Sequence, residues 1–174
     1  ANTIWDNKYF LDLIYRYEGS SRFGKNQRFA PFWSVGGGWN IHNEKFMKGS
    51  QVSLLKLRAS VGYLGNINFN PYQALTTYSY NSSYFYGKGT GATPITIGNP
   101  DLKWEKNRAF NVGLDLTFFD RISLTFDYYT RNTSDLIYDL PVSAVPGYYS
   151  GDTYSTTTPK NIGSLRNTGY EFTI

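Results

Sequence analysis

Cysteine is absent from the 174 residues, and histidine and methionine occur once each. Without thiols there is no disulfide scaffold, and a structural zinc site loses its usual ligands. Charge is scarce as well. Asp, Glu, Lys and Arg make up 17% of the chain, 17 basic against 13 acidic residues, for a formal net charge of +4. No apolar run approaches the roughly 18 residues that a membrane-crossing helix needs, so a helical membrane protein is excluded. The start, Ala1-Asn-Thr-Ile-Trp5, has neither the basic cluster nor the apolar stretch of a secretory leader. What is present in excess is aromatic: 16 Tyr, 12 Phe and 4 Trp, beside 17 Gly. That content argues against disorder. The basic residues are dispersed over strand faces and loops and form no stripe, so no nucleic-acid partner is expected.

The dominant pattern has period two. Phe110, Val112, Leu114, Leu116 and Phe118 alternate with Asn107, Ala109, Asn111, Gly113, Asp115 and Thr117. After Phe119-Asp120-Arg121 the alternation resumes, with Ile122, Leu124, Phe126 and Tyr128 against Ser123, Thr125, Asp127, Tyr129 and Arg131. Such alternation describes strands with one apolar and one polar face. A three-residue turn sets Phe118 opposite Ile122, Leu116 opposite Leu124 and Leu114 opposite Phe126. A slip of one residue would mix both faces. Six long strands are predicted, over residues 8–18, 29–41, 53–64, 104–118, 122–133 and 167–174, with a weaker one at Leu75–Tyr80. The alternation is still running at Tyr170-Glu-Phe-Thr-Ile174, which predicts a section of a longer chain. In an up-and-down meander the long connections, including 65–103 and 134–166, gather at one end and the short turns at the other. Loops of that length are usually functional.

Three features favour a membrane barrel over a soluble sandwich. The strands reach the ten or so residues needed to cross a bilayer at a tilt. Aromatics cluster toward both strand ends, as in the two girdles of outer-membrane barrels: Tyr15, Tyr17, Trp33, Tyr63, Trp104, Phe110, Tyr128 and Tyr170 at one, Trp39, Phe46, Phe118 and Phe119 at the other. Charges over the strand centres, namely Asp12, Arg16, Lys56, Arg58, Asp115, Asp127 and Arg131, fall on the polar face. A charge facing lipid near the midplane costs roughly 2–4 kcal/mol, whereas a wet lumen accepts it. A sheet in lipid must close, and six strands are fewer than the eight or so of the smallest such barrels. The expected fold is therefore all-β: part of an antiparallel up-and-down transmembrane β-barrel, with residues 1–174 forming part of that one domain. The alternative is a soluble all-β carbohydrate-binding module that uses its aromatics on sugars.

Local sequences add a family. Tyr15-Arg-Tyr-Glu-Gly-Ser-Ser-Arg-Phe-Gly24, Phe32-Trp-Ser-Val-Gly-Gly-Gly-Trp39 and Leu54-Leu-Lys-Leu-Arg-Ala-Ser-Val-Gly62 with Gly65-Asn66 resemble the SusC/RagA family of TonB-dependent outer-membrane transporters. So do Asn99-Pro-Asp-Leu-Lys-Trp-Glu-Lys106, Asn111-Val-Gly-Leu-Asp115, Arg121-Ile-Ser-Leu-Thr-Phe-Asp-Tyr-Tyr129, and Asn161-Ile-Gly163 with Asn167-Thr-Gly169. The resemblance runs in order over nearly the whole chain. It implies a barrel of about 22 strands in the bacterial outer membrane, with a plug domain and a TonB-contacting segment outside these residues. It further implies import of an oligosaccharide or peptide, energy from TonB, and a SusD-like surface lipoprotein over the mouth. On that reading 65–103 and 134–166 face outside and the Asp120 turn faces the periplasm.

Each candidate site has a structural reading beside it. The uncharged stretch Tyr78-Ser-Tyr-Asn-Ser-Ser-Tyr-Phe-Tyr86 offers Tyr78, Tyr80, Tyr84 and Tyr86 to a solute or lipoprotein, as do Tyr148 and Tyr149. A loop packed on its neighbours is the simpler account. Lys56, Arg58, Asp115, Asp127 and Arg131 are placed on the lumen face, lining a solute path or pairing with each other and the plug. Arg22, Lys25 and Arg28 could meet lipid phosphates or simply be solvated. Gly87-Lys-Gly-Thr-Gly91 lacks the spacing and following helix of a phosphate loop. Gly36-Gly-Gly38 is read as a bend or a close approach. Asp115 and Asp127 point the same way on neighbouring strands, but a glycoside hydrolase needs its two acids across a cleft. The lone His42 has no nucleophile or ligand set around it. No enzyme, catalytic residue, metal or cofactor is expected.

Overall fold

The computed structural model describes residues 1–67, 72, 74–87, 89–141 and 157–174. Eleven strands occur in chain order: β1 (Asn2–Trp5), β2 (Tyr9–Gly19), β3 (Phe29–Asn40), β4 (Val52–Asn66), β5 (Thr77–Tyr86), β6 (Gly89–Thr96), β7 (Glu105–Phe118), β8 (Ile122–Ser134), β9 (Ile137–Pro141), β10 (Thr157–Asn161) and β11 (Ser164–Thr173). Seven form one antiparallel sheet in the order β1-β2-β3-β4-β7-β8-β11. The pairs β5-β6 and β9-β10 are separate two-stranded ribbons within the two long connections. The six predicted long strands are β2, β3, β4, β7, β8 and β11, each shifted by a residue or so at its ends, with β11 starting three residues earlier. The predicted weak strand at 75–80 becomes β5. Among the described residues the sheet does not close, and β1 and β11 each keep an unpaired edge.

The register sorts the faces. Tyr9, Trp39, Leu57, Leu114, Phe126 and Phe172 form one continuous cross-strand row, and Leu11, Gly37, Ala59, Val112, Tyr128 and Tyr170 the next along that face. Between them, on the opposite face, runs Phe10, Gly38, Arg58, Gly113, Asp127 and Glu171. The expected pairs Phe118↔Ile122, Leu116↔Leu124 and Leu114↔Phe126 all occur. Among the described residues no second layer covers the apolar face: Leu57 is 40% exposed, Phe126 43%, Leu11 45%, Phe172 64% and Tyr170 72%. The large hydrophobic groups that are buried, Phe23, Phe32, Leu102 and Trp104, belong to neither apolar row.

The short-turn end is held tightly. Trp5-Asp6-Asn7-Lys8 and Phe118-Phe119-Asp120-Arg121 are matching turns. In each, two successive residues have φ of 51–55°, and the fourth N–H donates to the first carbonyl, at 2.9 Å and 3.0 Å. Asp and Asn tolerate that region, whereas for the bulky Phe119 it is a strained exception. Phe119 N–H donates to the Gln51 carbonyl at 3.1 Å, and Asp120 N–H to Ser53 Oγ at 3.0 Å. Ser53 is the extra residue of a bulge between Val52 and Leu54. Two 3-10 turns, Ile41–Asn43 and Lys45–Met47, connect β3 to β4. Between them Glu44 Oε1 accepts from Tyr9 Oη at 2.9 Å and Trp39 Nε1 at 3.1 Å, and Glu44 Oε2 lies 3.3 Å from Lys8 Nζ. These bonds, from Tyr9 first, hold the Glu44 carboxyl below its ordinary pKa. They also give two stacked aromatics of the apolar face a polar anchor at its border.

The long-connection end holds the only sizeable core among the described residues. Phe23, Phe32 and Trp104 are buried together, with ring centroids 4.3 Å apart for Phe23–Trp104 and 5.1 Å for Phe32–Trp104. This corrects one expectation: Trp104 is 6% exposed and is no part of an aromatic girdle. Its Nε1 donates to the Arg28 carbonyl at 3.2 Å. Gly65 makes the packing possible, since a Cβ there would fall 2.1 Å from Phe32 Cζ. Trp104→Ala should cost about 3–5 kcal/mol of local stability through the cavity it leaves. Hydrogen exchange on the full-length protein should then show faster exchange over 97–105 and 22–32, with β7 and β8 protected as before.

Candidate functional site

Two arrangements stand out, one on the polar face and one at the long-connection end. On the polar face Arg58, from the centre of β4, reaches diagonally across β7. Its Nε donates to Asp115 Oδ2 at 3.0 Å, and its Nη2 donates to Asp115 Oδ1 at 3.1 Å and Asp127 Oδ2 at 2.9 Å. Planar guanidinium suits this two-carboxylate grip, where an ammonium would not. Gly113 lies directly opposite Arg58 in the register, and a Cβ there would sit 2.5 Å from both Arg58 Cζ and Asp127 Oδ1. The glycine is the space the fork occupies. Lys56 pairs in register with Asp115 yet stands over the Phe10 ring, 4.7 Å from its centroid, because Arg58 has taken the carboxylate.

Two shallow concavities flank Arg58. One, of about 240 Å³, is lined by Phe10, Asp12, Lys56 and Asn111 among others. The other, of about 480 Å³, is lined by Asp127, Tyr129, Arg131, Asn167 and Glu171 among others. The five polar-face residues named from sequence thus lie on one continuous surface. Three are locked together, while Arg131 makes no ion pair among the described residues. The chemistry is that of a wet, charge-balanced wall. Among the described residues no group of three or more His, Asp or Glu side chains is placed to hold a metal ion. His42 stands apart, with Nδ1 3.2 Å from the Leu55 carbonyl oxygen.

At the long-connection end the segment Asn99–Glu105 acts as a staple. Gly24 N–H donates to the Leu102 carbonyl at 3.1 Å, and Asn26 Nδ2 donates to Asp101 Oδ1 at 2.9 Å, tying in the β2–β3 loop. Asn99 Nδ2 donates to the Pro159 carbonyl at 2.9 Å. Asn161 accepts from Lys103 N–H at 3.0 Å and donates to the carbonyls of Lys103 and Asp135, both at 2.8 Å. Glu105, 4% exposed, accepts from the Ile137 N–H at 3.0 Å. Asp135, itself at φ 58°, pairs with Lys103 at 3.0 Å and Lys106 at 3.1 Å. One seven-residue block therefore fastens both the β2–β3 loop and the connection after β8. Sequence reasoning quoted Asn99–Lys106 and Asn161 only for resemblance. The legible signal was buried-type side chains (Leu102, Trp104) alternating with amide and acid groups that could satisfy loop backbone.

Four of the six tyrosines named from sequence fall on one strand. Tyr78 and Tyr80 lie on β5, 61% and 79% exposed. Tyr84 and Tyr86 fall within the same strand, with side chains outside the description, and Tyr148 and Tyr149 lie outside the described residues. The glycine-rich stretch 87–91 contributes to β6 and is followed by strand, not helix.

These features define a class first: a section of an antiparallel up-and-down β-barrel wall with one face uncovered. The TonB-dependent receptor-like β-barrel family matches residues 2–174, and the chain belongs to that family. It is 36% identical to TonB-dependent receptor P39 of Formosa agariphila over 172 residues, 98% of this chain and 16% of that one. It is 35% identical to SusC of Bacteroides thetaiotaomicron over 175 residues, 97% of this chain and 17% of that one. The RagAB peptide importer in its closed-closed state superposes with a TM-score of 0.84 at 34% identity, over 98% of this chain and 18% of that one. The siderophore receptor PirA of Pseudomonas aeruginosa shares the fold alone, with a TM-score of 0.64 at 13% identity. The chain spans about a sixth of the length of the relatives it matches.

Two outcomes test the geometry. In the full-length protein Arg58→Gln should lower unfolding stability by about 1–3 kcal/mol, because two carboxylates lose their charged donor in a partly wet setting. Adding Asp115→Asn and Asp127→Asn should recover much of that loss in urea titration. At the staple, burial pushes Asp135 upward, but the bonds from Lys103 and Lys106 outweigh it and leave the pKa below the ordinary 3.8. A carboxyl depressed by folding stabilises above its unfolded pKa and loses that contribution as pH falls through the folded one. Exchange protection around 135–137 and 161–162 should therefore fall below about pH 4. Asp135→Asn, which keeps the left-handed backbone accessible, should remove that pH dependence.

Proposed function

We propose that this chain is part of the wall of an outer-membrane transporter that imports a nutrient, an oligosaccharide or peptide, with energy supplied through TonB. A plug domain, further strands and a SusD-like lipoprotein over the mouth complete the machine. The observation that carries this reading is the apolar face left uncovered among the described residues. A soluble sandwich would bury Leu57, Leu114 and Phe126 against a second sheet, and here their row is uncovered while Arg58, Asp115 and Asp127 cluster on the opposite side. Family membership supports the transport assignment, and the likeness to the RagAB peptide importer supports peptide as one candidate cargo.

On this reading the polar face is the lumen. The Arg58 fork stiffens the wall, and Lys56 and Arg131 are left to meet the plug or passing solute. The stapled connections form the outer mouth, and Tyr78, Tyr80, Tyr84, Tyr86, Tyr148 and Tyr149 are the residues we assign to contact with solute or lipoprotein. The full-length protein should require detergent for solubility and co-fractionate with outer membranes. Its deletion should abolish growth on one class of glycan or peptide and spare growth on simple sugars and amino acids. Solubility without detergent would sink the membrane assignment and favour the carbohydrate-binding module.

A further inference from the structure

One cross-strand row on the apolar face changes character along its length. Tyr15, Trp33, Tyr63, Arg108, Asn132 and Arg166 are consecutive register partners across β2, β3, β4, β7, β8 and β11. The first three are aromatic, and the last three carry two guanidinium groups flanking an amide. Arg108 lies ten residues beyond Phe118 on the same face of β7. Ten residues span about 33 Å along a strand, or about 25 Å of height at barrel tilt, which is the height of the outward apolar band of such barrels. The row therefore sits at the rim of that band. Tyr and Trp mark the same depth, since their rings settle at headgroup level.

Arg108 and Arg166, both exposed, line a concavity of about 450 Å³ together with Asn132, Ser134 and Ser164. Among the described residues no acidic side chain lines it. Neither arginine pairs with a carboxylate among the described residues; Arg108 stands 6.0 Å from the Tyr63 ring centroid. Asp135, on the adjoining connection, is already held by Lys103 and Lys106. The two arginines are two strand spacings apart, about 10 Å between backbones, so their forks can converge on one anionic group above Asn132. Guanidinium binds phosphate oxygens through paired hydrogen bonds. The site opens sideways, away from the lumen, at the depth of headgroups, which favours a phosphate carried on a lipid over one free in solution. We propose that Arg108 and Arg166, with Asn132 between them, hold the phosphate of a lipid headgroup in the leaflet at the long-connection end. This rests on the membrane reading above.

The test uses the full-length protein in phosphatidylcholine nanodiscs doped with lipid A or with its dephosphorylated form, and measures the lipid retained after washing by mass spectrometry. Wild type should retain the phosphorylated lipid about ten-fold better, as expected of charge-assisted paired contacts. Arg108→Gln with Arg166→Gln should abolish that preference, and Arg22→Gln should leave it intact. Arg166→Gln alone, on the edge strand, should weaken it and serves where the double variant misfolds. Equal retention of both lipids, a preference that survives the double variant, or displacement by millimolar inorganic phosphate would each overturn the lipid site while leaving the barrel standing. Failure to enter nanodiscs would overturn both readings.

Discussion

The structure depends on the agreement of register that keeps the central apolar rows on one face. Each strand turns one side chain out and the next in, so a row that crosses six strands is apolar throughout only if every register agrees. Phe172, Phe126, Leu114, Leu57, Trp39 and Tyr9 achieve that agreement through five separate pairings. Tight turns set some of those registers. The two left-handed pairs, Asp6-Asn7 and Phe119-Asp120, close their hairpins after three residues and leave no room for slippage. The N–H groups of the strained Phe119 and of Asp120 donate to the Gln51 carbonyl and to Ser53 Oγ, so the turn and the neighbouring bulge at Ser53 fix one another.

Given that partition, the two faces solve different problems. On the apolar face, dispersion needs no directional partner, and Tyr9 and Trp39 at its border use Glu44 to anchor their polar ends. On the polar face, charge is balanced locally at one point. Arg58 neutralises two carboxylates on two strands, and the absence of a side chain at Gly113 lets it do so. The same interaction cross-links β4, β7 and β8 through side chains where their backbones are already paired, so it resists shear between strands.

Much of this was legible from sequence because period two is a local property. The alternation in 107–118 and 122–131 specified both strands, their turn and their register before any coordinates. The other strands were faint for physical reasons. β1 is four residues long, too short for a pattern, and its one clue is the Asp6-Asn7 pair that favours a left-handed turn. β5 was legible only as a weak strand over 75–80, and β6, Gly89-Thr-Gly-Ala-Thr-Pro-Ile-Thr96, offers little alternation. Trp104 was misplaced because composition and position along a strand cannot distinguish a ring at a lipid border from a ring buried under a loop. The deciding fact is the approach of Phe23, 81 residues earlier in the chain. The pairing of Arg58 with Asp115 over the directly opposite Lys56 was likewise unreadable, because it turns on the empty volume at Gly113.

The staple bears on how such a mouth can work. Long connections rich in Tyr, Ser and Gly lose much entropy if they are ordered throughout, yet a mouth with no fixed base cannot present a constant surface. Asn99–Glu105 resolves this by fixing only the roots. Backbone groups at Gly24, Ile137 and Pro159 are satisfied by this block, the Asn161 side chain satisfies the block's own backbone at Lys103, and Leu102 and Trp104 supply the apolar contacts. The β5–β6 ribbon, with its exposed Tyr78 and Tyr80, lies beyond those roots and outside the seven-stranded sheet. That separation keeps the bonds that hold the frame apart from the ribbon, so substitutions at its exposed tyrosines leave the wall's own pairings untouched.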